Sequence, residues 1–243
     1  MIVDHTHRRV LDVLESREKA VVLEWLKQAR DSGLLARVEE VTTDMWEGYA
    51  EAARQAFGPK VRLVIDRFHV MKNFQERLEA ARRSLQRRLP AEAAQALKGT
   101  RWLWVTNPEN LTPEQRRDLE ELKRFLPELG RLHELRESLR AIFEDRRVHQ
   151  PATAIQRLRD WIGAARSTGL KAVERFCGTL ERWLEGIANY FVNRSSNGRT
   201  EGFNHGLRAV LWRAFGLRNF RHFRLRILDA FGQPRPQDST GMA

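Results

Sequence analysis

Three carboxylates stand where a carboxylate could do chemistry. Asp44 closes the apolar run "VEEVTTD" and Asp66 closes "KVRLVID". Glu201 is the sole acid between Arg194 and Arg226, a stretch that also holds eight arginines and two histidines. If the two apolar runs are neighbouring strands, their ends lie about 4.8 Å apart. Carboxylates that close repel unless one is protonated or a cation bridges them. Oxygen ligands of this kind suit Mg²⁺ or Mn²⁺. Each acid also has a structural reading. "DMWE" from Asp44 to Glu47 is a capping box, and Asp66 can cap a helix starting at Arg67 or pair with His69. Glu201 in a first helical turn gains from the helix dipole. Its helix would bury Phe203, Leu207, Val210 and Leu211. Glu201, Asn204, His205 and Arg208 are then left along the polar side, a company suited to phosphate or base contact.

The elements needed to hold these groups are legible as periodicities. Arg9 to Glu15, Val38 to Asp44 and Lys60 to Asp66 read as strands. "REKAVVLEWLKQARDSG" and "MWEGYAEAARQAFG" read as amphipathic helices between them. A strand–helix–strand unit of this size predicts a parallel, right-handed crossover, hence an α/β fold. Beyond Phe68 helical periodicity dominates. It is interrupted at "LKGTRWLWVTNPENLTPEQ", where Thr112-Pro113 starts a new helix, and at "RRVHQPAT" near Pro151. Helices follow at about Arg199 to Arg213 and Asn219 to Ala230. The domain reading is residues 1–72 as the first part of an α/β domain and 73–193 as an all-α insertion. Residues 194–232 complete the first domain with two helices, and 233–243 form a flexible tail.

A net charge of +11 over 243 residues points to an anionic partner. Arg outnumbers Lys 36 to 7, and Arg is the better bidentate phosphate ligand, although GC-rich codon usage also favours it. No apolar run of about 18 residues is present, so no membrane span is expected. The N-terminus lacks the pattern of a signal peptide, which predicts a cytoplasmic protein. One cysteine excludes a disulfide framework and a cysteine-rich zinc site. P-loop, dinucleotide-binding and zinc-protease motifs are all lacking. "HTH" at His5 and His7 is a candidate metal pair, though surface histidines are the commoner case. Trp102 and Trp104 suit either base stacking or core packing.

Three stretches, "VTTDMWEGYAEAARQAFGPKVRLVIDRFHVMKNF", "LKGTRWLWVTNPENLTPEQ" and "SNGRTEGFNHGLRAVLWRAFGLRNFRHFRLRIL", together resemble the catalytic domain of the ISL-three family of insertion-sequence transposases. The resemblance implies a ribonuclease H-like mixed sheet with a large helical insertion. It also implies metal-dependent DNA cleavage and strand transfer by an Asp-Asp-Glu triad. Asp44 matches the second aspartate and Glu201 the glutamate, both as metal ligands. Asp66 and His69 match the supporting "DRFH" element. Arg199, Arg208, Arg213 and Arg218 would contact the DNA backbone, with Asn204 and His205 orienting a phosphate. Two Mg²⁺ or Mn²⁺ ions are implied where the triad is complete, with transposon-end and target DNA as partners. A second copy or a full-length transposase is the implied protein partner.

The family's first aspartate lies on a strand ahead of a β-hairpin, and "MIVDHTHRRVLDVLESR" resembles that hairpin rather than the strand. The reading is therefore an N-terminally truncated chain without its first sheet strand, with Asp4 a turn residue and only a poor substitute for the missing acid. It predicts no transposase activity for this polypeptide by itself. The alternative is a non-catalytic DNA-binding remnant, or an inhibitor of the full-length transposase.

Overall fold

The apolar runs near the N-terminus do form strands, but short ones. A computed structural model describes residues 1–195, 198–213 and 219–233, apart from the side chains of Ala96, Arg199 and Glu201. In chain order it begins with β1 (Ile2–Asp4), β2 (Arg9–Asp12), α1 (Lys19–Asp31), β3 (Glu40–Thr43), α2 (Glu47–Phe57) and β4 (Arg62–Ile65). Then come α3 (Arg67–Gln86), α4 (Ala91–Ala96), α5 (Arg101–Val105), α6 (Pro113–Phe125), α7 (Pro127–Glu144) and α8 (Pro151–Ser167). The last elements are α9 (Lys171–Arg182), α10 (Leu184–Asn193), α11 (Gly198–Arg213) and α12 (Phe220–Phe231). The fold is mixed α/β with helix predominating. Among the described residues the strands form two separate two-stranded sheets, β1 with β2 and β3 with β4.

The chain divides into two compact units, Met1–Leu63 with Ser196–Ala243, and Val64–Ser195. In the first unit, β1 and β2 pair antiparallel with Val3 opposite Val10 and Asp4 opposite Arg9. Residues along β2 alternate, so Val10 and Asp12 point into the core. Val10 and Val13 pack there with Phe203 of α11 and Ile227 of α12, ringed by Val3, Leu207, Phe223 and Phe231. The close approach of α11 to α12 needs Gly206, where a Cβ would lie 2.6 Å from the Phe231 ring. A second small core forms where α1 meets α2. Helix α2 buries Ala50, Ala52, Ala53 and Ala56, and of these Ala52 and Ala56 pack with Leu26 and Trp25.

In the second unit α3 packs on α7 and α9, and α8 on α10. Phe74, Trp161 and Phe176 meet edge to face at its centre, with Phe143 stacked on Phe191 nearby. Cys177, the chain's one cysteine, is wholly buried on α9, and burial pushes its thiol up to about 11. Thr112 caps α6 through the reciprocal Thr112–Gln115 box, with Pro113 in the first turn. Part of "LKGTRWLWVTNPENLTPEQ", read from sequence as loop, is the helix α5. Trp104 turns into the core there while Trp102 is exposed. Core packing is thus the role of Trp104.

Candidate active site

Asp44 follows β3, and the capping box read into "DMWE" does not form. The N-cap of α2 is Trp46, with no side-chain cap bond, and the helix starts at Glu47. Trp46 instead lies edge-on to Tyr49 at 4.4 Å and over Gly48, where a Cβ would sit 2.3 Å from its ring. Asp44 is therefore left without the backbone donors a cap would have supplied. Its Oδ1 is buried and accepts no hydrogen bond among the described residues. Burial raises the Tyr49 hydroxyl above its ordinary value, the Asp44 charge raises it further, and Arg17 opposes both. An unsatisfied buried acceptor costs about 1–3 kcal/mol, more when charged, so this orphan oxygen requires an explanation.

Asp66 resolves the other way. It is 1% exposed and caps α3, accepting from the Phe68 backbone N–H at 3.0 Å. His69 is half-buried in the first turn of α3, edge-on to Phe68. Its backbone N–H donates to the Asp66 carbonyl at 3.1 Å. Asp66 and His69 belong to the second unit, Asp44 to the first.

The backbone of Glu201 and Arg199 falls in the first turn of α11, while both side chains lie outside what the structure describes. Arg218 lies outside the described residues altogether. Along α11, Phe203 is buried and Leu207, Val210 and Leu211 are half-buried, whereas Asn204, His205, Arg208 and Arg213 are exposed. The polar face is real. Trp212, 85% exposed, extends it by a further turn. Asp44 and α11 share the first compact unit.

The N-terminal histidines do not form a metal pair. His5 Nε2 lies 3.1 Å from Thr200 Oγ1, tying the hairpin to the first turn of α11. His7 turns back instead onto Asp4, giving that carboxylate its backbone N–H at 3.0 Å and its Nδ1 at 2.6 Å. Burial works against ionisation of Asp4, but the His7 bonds and the charges of His7 and Arg9 prevail and hold its carboxyl below the usual range. Among the described residues no group of three or more His, Cys, Asp or Glu could hold a metal ion.

Two arginines of the basic stretch are internal ties. Arg194 is the left-handed C-cap of α10 (φ 51°). Its guanidinium donates to the carbonyls of Phe143, Asp145 and Val148. Arg224 binds Asp12 in a fork, Nε to Oδ1 at 2.5 Å and Nη2 to Oδ2 at 2.9 Å. Asp12, which sequence reasoning passed over, is densely engaged, accepting also from Trp25 Nε1 at 2.6 Å and the Val13 N–H at 2.7 Å. Its burial opposes ionisation, and these donors more than offset it, so its carboxyl is held below the ordinary value. The inward position of Asp12 in an alternating strand was the one available signal.

The family model described as Transposase, of the ISL-three type, matches residues 1–227. A transposase for insertion sequence element IS1001 of Bordetella parapertussis is 29% identical over 234 residues, 95% of this chain and 56% of that protein. Transposases for insertion sequence element IS1557 from two Mycobacterium tuberculosis strains are each 25% identical over 242 residues, 90% of this chain and 53% of theirs. The chain spans about half the length of these curated relatives. No solved structure matches. Among the described residues no helix is long and apolar enough to cross a membrane.

Proposed function

Because the chain belongs to the ISL-three transposase family, we propose that it contributes to a DNA transposase catalytic domain, with Asp44 and Glu201 as metal-binding carboxylates. The observation that carries this reading is the orphaned, buried Oδ1 of Asp44 at a strand end, in the same unit as the helix bearing Glu201. A divalent cation is the natural partner for a carboxylate oxygen that no donor reaches, so the residue fits a metal ligand better than a cap. Mg²⁺ or Mn²⁺ bound there would supply activation of a water or 3′-hydroxyl and charge stabilisation at a DNA phosphate. A ribonuclease H-like arrangement of the domain is part of the same proposal.

The chain's own contributions are positional. Asn204, His205, Arg208 and Arg213 offer exposed donors along α11 to successive backbone phosphates of transposon-end or target DNA, with Arg199 and Arg218 assigned alongside them. Such contacts set register without reading sequence. Asp66 holds the start of α3 and with His69 supports the site rather than binding metal. A second copy of the chain or a full-length transposase is the proposed protein partner.

The second reading is DNA binding without catalysis. Asp4 favours it: this carboxylate is committed to His7 and Arg9 rather than left open to a metal. Mn²⁺ titration and DNA binding separate the two. On the catalytic reading Asp44→Asn and Glu201→Gln abolish Mn²⁺ binding and any metal-dependent nicking, and leave DNA affinity in place. If neither change alters Mn²⁺ binding while Arg208→Ala and Arg213→Ala weaken DNA binding, only the second reading survives.

A further inference from the structure

The helical unit carries a cavity lined by none of the candidate site residues. It lies between α3 and α9, has a volume of about 360 Å³, and is lined by Arg77, Ala80, Ala81, Lys171, Ala172 and Arg175. Cations from two helices thus meet over a floor of three alanines. Lys171 and Arg175 are one turn apart and share a face of α9. Arg77 comes from α3 and is half-buried, while the two α9 cations are exposed.

What distinguishes this cleft from an ordinary solvated face is that no acid lines it. Of the neighbouring carboxylates on these helices, Glu79 is committed to Arg82 and Arg83 and Glu174 to Arg166, while Glu76, beside Arg77, is exposed and lines no part of the cleft. Among the described residues no acid pairs with Arg77, Lys171 or Arg175. Three like charges held around one hollow repel each other, and an anion entering it relieves that repulsion. The alanine floor lets a bulky chain approach closely, and the volume admits more than a single small ion. The lining has no amide, aromatic or acidic side chain with which to discriminate bases.

We propose that the α3–α9 cleft binds the sugar–phosphate backbone of DNA, as a second and sequence-independent contact surface in addition to α11. This rests on the DNA-binding reading above and extends it to a unit with no proposed catalytic carboxylate.

The test uses the full 243-residue chain and short duplex DNA of mixed sequence, with affinity followed across a salt series. Every phosphate that a variant no longer neutralises takes about 0.9 from the slope of log K against log salt. The variant Arg77→Gln/Lys171→Gln/Arg175→Gln is therefore expected to lower the slope by about 2 to 3 and to weaken all sequences alike. An unchanged slope in that variant, with firm binding by the natural chain, overturns the cleft and spares the DNA reading. A natural chain that binds no DNA overturns both. Acetylation of Lys171 in the unaltered protein, read by mass spectrometry, supplies a measurement that no misfolded variant can confuse. Protection by duplex DNA, at a phosphate concentration where inorganic phosphate gives none, supports the proposal. Protection by inorganic phosphate without protection by DNA marks a free-anion site and overturns it.

Discussion

At the scale of single residues, the two aspartates of the first unit make opposite use of burial. Asp12 is surrounded by donors and Asp44 Oδ1 by none. The first is a structural tie between β2, α1 and α12, and removing its charge should show as reduced stability. Asp12→Asn keeps the shape but gives up the charge-assisted fork, an expected cost of about 1–3 kcal/mol. A thermal-melt cycle with Arg224→Gln should show the pair coupled, and strictly additive effects would mean the fork contributes nothing of its own. Asp44→Asn should cost little or even stabilise, since no donor is forfeited there. Neither residue's hydrogen-bond environment was legible from its neighbours in sequence. Asp12 acquires its partners from positions 25 and 224, and Asp44 goes without its expected cap because the Trp46 ring occupies the start of α2.

Element by element, local chemistry is legible in the sequence and long-range chemistry is not. Thr112-Pro113 and Gln115 start α6 as their types require, because the capping box is closed within four residues. Nothing within "RWLWV" announces the helix α5; what fixes it is the burial of Trp104. Arg194 stands in a stretch suited to phosphate, yet its partners sit some fifty residues earlier in the chain. Two glycines show the same dependence with opposite signs. Gly186 on α10 lies against Ile65, where a Cβ would be 2.8 Å from Cγ1, while Gly178 on α9 has nothing within 4 Å. Gly186→Ala should destabilise by about 1–3 kcal/mol through overpacking. Gly178→Ala should stabilise by about 0.5–1 kcal/mol through helix propensity. Urea midpoints moving the same way in both variants would contradict the packing seen at Ile65.

On the scale of the whole molecule, the strongest stability signal is acid sensitivity. His133 is 2% exposed with neither ring nitrogen bonded among the described residues, and burial first, then the charges of Lys123 and Arg136, lower it to about 4. Between about pH 6.5 and that value the unfolded chain binds a proton that the fold refuses, so stability rises with pH across the window. The full effect is on the order of 3 kcal/mol, lost as pH falls towards 4 and no further below it. Glu79, pulled down to about 2 by the Arg82 bond and helped by Arg83, acts lower. Its folded value lies below its unfolded one, so its contribution is complete above about pH 4.3 and disappears as pH drops towards 2. Asp4 and Asp12 add in the same direction. Denaturant midpoints should therefore decline in two stages on acidification. His133→Phe, packed beside Trp104, should abolish the upper stage alone; an unaltered upper stage would assign it to another group.

Cys177, sealed into α9 six residues past Lys171, gives the helical unit a built-in clock. With its thiol protonated and out of reach, a thiol-trapping reagent can capture it only in moments when α9 lifts, so the trapping rate counts openings of that unit and of nothing else. There is no second thiol to blur the reading. Anything that grips the α3–α9 cleft makes those moments rarer, by the factor 1 + [L]/Kd for a ligand held only by the closed form. Trapping that slows as duplex DNA is added would time the cleft's occupancy directly; trapping indifferent to saturating DNA would show that the helices are free to part beneath it.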